Sequence, residues 1–138
     1  MPSKFDSAGK LPAGLRALVA DDDAILRQLM RARLAGLVDE VVEASDGLDA
    51  WRLASSEPFD VAILDLMMPG VNGQALIQCL RGHPRTRRLP IVVVTSNEDH
   101  TSIQRALDAG ASAVMTKPVS WCRLKYEIGR LLAEPEQV

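Results

Sequence analysis

Residues Val61–Gly73 read VAILDLMMPGVNG. The opening run Val61–Leu64 is apolar throughout, too short for a helix and without the alternation of a half-exposed strand. Such a run suits a strand covered on both faces, as in a parallel sheet. It stops at an acid, Asp65. Pro69-Gly70 and Asn72-Gly73 then supply turn chemistry. Gly73 is expected to open a helix without touching anything functional.

Further runs of similar length are Arg16–Ala20, Glu40–Ala44, Ile91–Thr95 and Ala113–Thr116. Between them, apolar residues recur at helical spacing. Leu26, Met30, Leu34 and Leu37 mark the first stripe, and Leu48 and Trp51 a short second one. Leu76, Ile77 and Leu80 mark the third, and Ile103, Ala106 and Leu107 the fourth. Leu124, Ile128, Leu131 and Leu132 mark the last. The alternation is (βα)5, an α/β fold with helices on both faces of a parallel sheet.

A chain of 138 residues makes one domain. The folded unit is expected over 15–133, between a flexible tail at 1–14, rich in Pro, Gly, Ser and Lys, and a short tail at 134–138. Apolar residues at 47% and charged residues at 25% are the balance of a soluble globular protein. A net charge of −2 gives no nucleic-acid footprint. No apolar run is long enough to span a bilayer, and Met1–Lys10 lacks an apolar signal region. The expected location is cytoplasmic. Cys79 and Cys122 fall within helical patterns and read as buried thiols, neither a disulfide nor a metal site.

In open α/β sheets, ligands bind beyond the carboxyl ends of the strands. Asp21, Asp22 and Asp23 follow the first run, and Asp65 follows the third. Thr95 and Ser96 end the fourth, and Lys117 and Pro118 follow the fifth. Carboxylates gathered at one edge repel unless a cation neutralises them. Oxygen-only ligands suit a hard ion, Mg2+ or Mn2+ in its place. A carboxylate can also accept a phosphoryl group, and that transfer needs chiefly positioning and positive charge. Asp22 and Asp65 offer a metal site, Lys117 an ammonium and Thr95 a hydroxyl.

Plainer readings exist for each residue. Asp21–Asp23 could simply cap a helix, with Asp23 the expected cap in either case. Lys117 alone would be a solvated lysine, and Thr95 an ordinary strand-end threonine. His83 and His100 read as solvent-facing, Trp51, Trp121 and Tyr126 as packing or partly exposed surface, and His83–Arg88 as a solvated loop.

Taken together, LVADDD (Leu18–Asp23), VAILDLMMPGVNG, IVVVTS (Ile91–Ser96) and GASAVMTKP (Gly110–Pro118) resemble the receiver domain of two-component response regulators over roughly residues 15–133. The resemblance implies a flavodoxin-like sandwich with strand order 2-1-3-4-5. It implies Asp65 as phospho-acceptor and Asp22 as direct metal ligand. Asp21 would reach the metal through water, and the Met67 backbone carbonyl would complete the ligands. Lys117 would pair with the acceptor, Thr95 would be the switch hydroxyl, and Ser96 would leave room for the phosphoryl group. The Lys117–Pro118 bond would be cis.

The sequence departs from that pattern in several places. Val114 and Val119 stand where aromatic rings are common in the family. Ser112-Ala113 lacks an acidic pair common in regulators that dimerise, leaving a monomer or a weak phosphorylation-dependent dimer. Met67 and Asn97 occupy positions that tune phosphoryl lifetime, and neither is an acid able to orient a water. A slow self-hydrolysis is expected, and a half-life of seconds in the isolated protein would contradict it.

The expected function is a stand-alone receiver, charged by a sensor histidine kinase, that catalyses only its own phosphorylation and dephosphorylation. A switch from 1:99 to 99:1 needs about 5.5 kcal/mol of differential interaction. The face around Ala106, Val114 and Leu124 is expected to change its affinity for a protein partner. Several alternatives stay open. The chain could be a relay intermediate serving a histidine phosphotransfer protein, or a piece of a larger regulator. It could be a phosphate-independent scaffold. A Mg2+-dependent phosphatase with an Asp nucleophile is the remotest, because its usual second Asp is replaced by Met67.

Overall fold

The computed structural model describes residues 14–68 and 72–133. Five strands alternate with five helices: β1 (Arg16–Ala20), α1 (Ala24–Leu34), β2 (Glu40–Ala44), α2 (Gly47–Ser56), β3 (Val61–Leu64), α3 (Gly73–Gly82), β4 (Ile91–Thr95), α4 (His100–Ala109), β5 (Ala113–Thr116) and α5 (Trp121–Ala133). All neighbouring strands pair in parallel, in the order β2-β1-β3-β4-β5. The expected fold class and strand order are those observed.

The unbroken apolar runs have a direct cause. Successive strand side chains point to opposite faces. In β3, Val61 and Ile63 join one core layer, with Val19 and Val92 beside them and Met30, Leu34, Leu124 and Ile128 over them. Ala62 and Leu64 join the other, with Leu18, Val93, Leu76, Ile77 and Leu80. The first layer is roofed by α1 and α5, the second by α2, α3 and α4. Each buried Leu or Ile contributes about 1.5–3 kcal/mol.

Short polar side chains start the helices. Asp23, Asp46, Asn72 and Asp99 each accept backbone N–H bonds from the first turn that follows, and Ser120 accepts from the Arg123 N–H at the head of α5. These bonds satisfy donors that a helix cannot satisfy itself. Gly110 ends α4 at φ 123°, a conformation that favours glycine.

Several expectations need correction. Cys79 and Cys122 are exposed, not buried, because each lies on the solvent side of its helix while Leu76, Leu80 and Leu124 face the core. Ala106 and Leu124 are buried and belong to opposite core layers, so neither side chain can itself touch a partner. His83 is half-buried rather than solvent-facing, with its ring 5.6 Å from that of Trp51 at 84°. Gly73 does open α3, but it is not idle. A Cβ there would stand 2.6 Å from the Leu66 Cα and 2.8 Å from its carbonyl oxygen. The glycine lets the helix press on the backbone immediately after Asp65. The expected tails and the Pro69-Gly70 turn lie outside the described residues, except Gly14, whose N–H donates to Asp39.

Candidate functional site

The sheet delivers the acids to one edge. Ala20 and Leu64 are register partners, so the next residues, Asp21 and Asp65, emerge side by side. The ladder runs into the site itself, since the Asp65 N–H donates to the Ala20 carbonyl at 3.0 Å and the Asp21 N–H to the Ala44 carbonyl at 3.1 Å. Both side chains are almost fully buried, Asp21 at 1% exposure and Asp65 at 4%. Asp22 is exposed at the mouth. One carboxylate oxygen from each of these acids lies within 4.8 Å of the others.

Lys117 joins the pair. Its Nζ donates to Asp21 Oδ2 at 3.0 Å and to Asp65 Oδ2 at 3.1 Å. The remaining oxygens of the two buried acids are also engaged, Asp21 Oδ1 by the Asp23 N–H and Asp65 Oδ1 by the Met67 N–H, each at 2.9 Å. The Lys117–Pro118 bond is cis, and the Lys117 N–H donates to the Thr95 carbonyl at 2.8 Å. Thr95 is fully buried at the end of β4, its Oγ1 accepting from the Asn97 N–H at 3.2 Å. Ser96 is exposed beside it. The strand-end residues read from the sequence therefore share one edge, and Lys117 bridges two acids where only its pairing with Asp65 was foreseen.

The electrostatics follow from burial. Desolvation pushes the Asp21 carboxyl up, with the Asp65 charge adding to it, against the opposing bonds from the Asp23 N–H and Lys117. For Lys117, burial works against the ammonium, yet the bonds to Asp21 and Asp65 outweigh it and its pKa is raised. Ionised, the three acids and one ammonium leave two negative charges uncompensated. An all-oxygen donor set with that imbalance fits a hard divalent cation.

Three arginines that the sequence reading missed tie segments together, Arg27 and Arg31 beside this edge and Arg81 at the opposite, amino end of β4 and β5. Arg27 on α1 donates through Nη1 to the Asp21 carbonyl at 2.6 Å and through Nε to Glu43 at 3.0 Å. Arg31, one turn later, meets the other Glu43 oxygen at 2.7 Å. The Glu43 carboxyl is held low chiefly by the Arg31 bond, which, with the weaker Arg27 bond, outweighs the upward push of burial. Arg81 on α3 donates to the carbonyls of Thr86, Arg87, Leu89 and Gly110, and burial lowers its pKa. It fastens the loop before β4, whose own arginines, Arg85, Arg87 and Arg88, are exposed.

The sequence pattern of the response regulator receiver domain matches residues 17–128. The chain belongs to that family. As a receiver domain it has relatives of two kinds. It is 36% identical over 104 residues to the response regulator PleD of Caulobacter vibrioides, matching 75% of this chain but only 23% of PleD's length. It is 32% identical over 120 residues to a chemotaxis protein CheY homolog of Campylobacter jejuni, covering 86% of this chain and 92% of that one. The receiver domain of the sensor histidine kinase PA1611 from Pseudomonas aeruginosa, solved with magnesium coordinated in its active-site cleft, superposes with a TM-score of 0.80. It is 25% identical, over 88% of this chain and all (100%) of that one. Receiver domains act in two-component systems as phospho-acceptors and signal transducers. Among the described residues, no helix of this receiver is long and apolar enough to cross a membrane.

Proposed function

We propose that this receiver takes a phosphoryl group onto Asp65 from the phosphohistidine of a sensor kinase, as a stand-alone switch in the cytoplasm. The bridge from Lys117 to Asp21 and Asp65, with Asp22 beside it, carries the reading. Asp22, Asp65 and the Met67 carbonyl would hold Mg2+ or Mn2+, with Asp21 reaching it through water. Bound there, the cation supplies charge against the phosphoryl oxygens.

The chain's own residues supply the rest. An Asp65 oxygen forms a bond to phosphorus as the phosphorus–nitrogen bond to the imidazole breaks, and the imidazole keeps the electron pair. Bonds from Lys117 and the Met67 N–H aim the carboxylate. Lys117, its pKa raised, stays charged to meet the added anion. Thr95 offers a hydroxyl, and Ser96 leaves room at the mouth. Ile25 and Met67, 70% and 59% exposed, follow Asp22 and Asp65 by a few residues, with Leu29 one turn further along α1. They give a docking kinase an apolar rim. At Met67 the side chain points to solvent where a phosphatase would need an acid, which speaks against turnover of phosphomonoesters.

Intact mass after incubation with Mg2+ and acetyl phosphate tests the reading. The native chain should gain one phosphoryl group, only with the cation, and Asp65→Asn should gain none. Equal labelling of the variant, or labelling without a divalent cation, would refute it.

A further inference from the structure

The loop between β4 and α4 is fastened at each step. Thr95 Oγ1 accepts from the Asn97 N–H at 3.2 Å. The Asn97 side chain then uses both ends of its amide. Oδ1 accepts from the Asp99 N–H at 2.9 Å, and Nδ2 donates to Ser102 Oγ at 3.1 Å. Ser102 Oγ donates in turn to Asp99 Oδ2 at 3.3 Å, and Asp99 Oδ1 accepts from the Thr101 N–H, also at 3.3 Å. A continuous set of bonds thus runs from the Thr95 hydroxyl to the first turn of α4.

The helix at the far end is lightly anchored. Of the α4 residues, only Ala106 is fully buried, whereas α3 buries Gly73, Leu76, Ile77 and Leu80, and α5 buries Leu124, Ile128 and Leu132. An element with little buried apolar surface moves at low cost, so its N-terminal tether largely fixes its position. The Thr95–Asn97 bond is at the long end of the hydrogen-bond range, and the hydroxyl still has a proton to give. A phosphoryl oxygen that draws Oγ1 toward Asp65 pulls on Asn97 or releases it.

We propose that Asn97 is a positioning residue that couples the Thr95 hydroxyl to α4, its side-chain amide carrying the displacement to Ser102. The proposal rests on Asp65 phosphorylation. It adds the path by which the charge at Asp65 is felt at α4. Linkage makes the coupling reciprocal: whatever holds α4 in its displaced position also favours the phosphorylated state.

Backbone amide NMR of the full chain, with Mg2+ and beryllofluoride as a stable phosphoryl mimic, tests it. In the native protein the shifts should reach from Asp65 through Ser102 to Ala109. In Asn97→Ala and in Ser102→Ala the shifts beyond Asp99 should be lost while the Asp65 amide still responds in Ser102→Ala. Ser102→Thr, which keeps the hydroxyl, should restore them. The double variant should lose no more than the worse single variant, because both break one path. Native-size shifts along α4 in either alanine variant, or losses that add, would overturn the coupling. An Asp65 response in the native chain with α4 unmoved would overturn the coupling alone. No response at Asp65 would take down the phospho-acceptor reading as well.

Discussion

Lys117 and Asp21 show how the site trades stability for readiness. Two buried carboxylates share one ammonium, so removing the ammonium strands charge in a dry place. Lys117→Met should destabilise the fold by about 1–3 kcal/mol, read as a lower urea midpoint at unchanged slope. Asp21 works in the opposite sense. Its folded pKa is raised, chiefly by burial, so whatever stability it lends is complete below its unfolded pKa of about 3.9. That stability is lost as pH rises through the folded pKa. Asp21→Asn should therefore make the metal-free protein more stable than the native chain at neutral pH, and the gap should close toward acid. The same variant should bind Mg2+ more weakly. A pH series of melts with chelator present checks the first point, and titration calorimetry the second.

At the scale of elements, the decisive contact is between the head of α3 and the loop after β3. Gly73→Ala puts a methyl group against backbone that cannot yield cheaply, so a loss of about 1–3 kcal/mol is expected, together with weaker Mg2+ binding as Leu66 and Asp65 shift. Thermal denaturation and Mg2+ titration of the variant read both. The elements themselves were legible because β3, β4 and most of β1 are buried on both faces, which leaves unbroken apolar runs, and because short polar residues announce the helix starts. The strand-end placement of Asp21, Asp65, Thr95 and Lys117 followed from the parallel order. Arg27 and Arg81 were not legible. A helix arginine reads the same in sequence whether it is solvated or bonded to carbonyls, and the Glu43 and Gly110 partners lie far along the chain. The cysteines were misread because helical spacing leaves positions next to the core stripe open to either side.

For the whole molecule, the two core layers make a rigid sheet whose carboxyl edge concentrates negative charge. A divalent cation that binds the folded state alone should stabilise it by mass action, by about 1.4 kcal/mol at ten times its dissociation constant. The unfolding midpoint should rise with Mg2+ and return with chelator, while Asp22→Asn should blunt the rise. The central claim is that Asp65 carries the phosphoryl group. Hydride trapping tests it most directly, because borohydride reduces an aspartyl phosphate to homoserine at the residue that carried it. After Mg2+ and acetyl phosphate, peptide mass mapping should find homoserine at position 65 and at no other acid. Homoserine at Asp21 or Asp22, or none at all in protein shown to carry a phosphoryl group, would contradict the account.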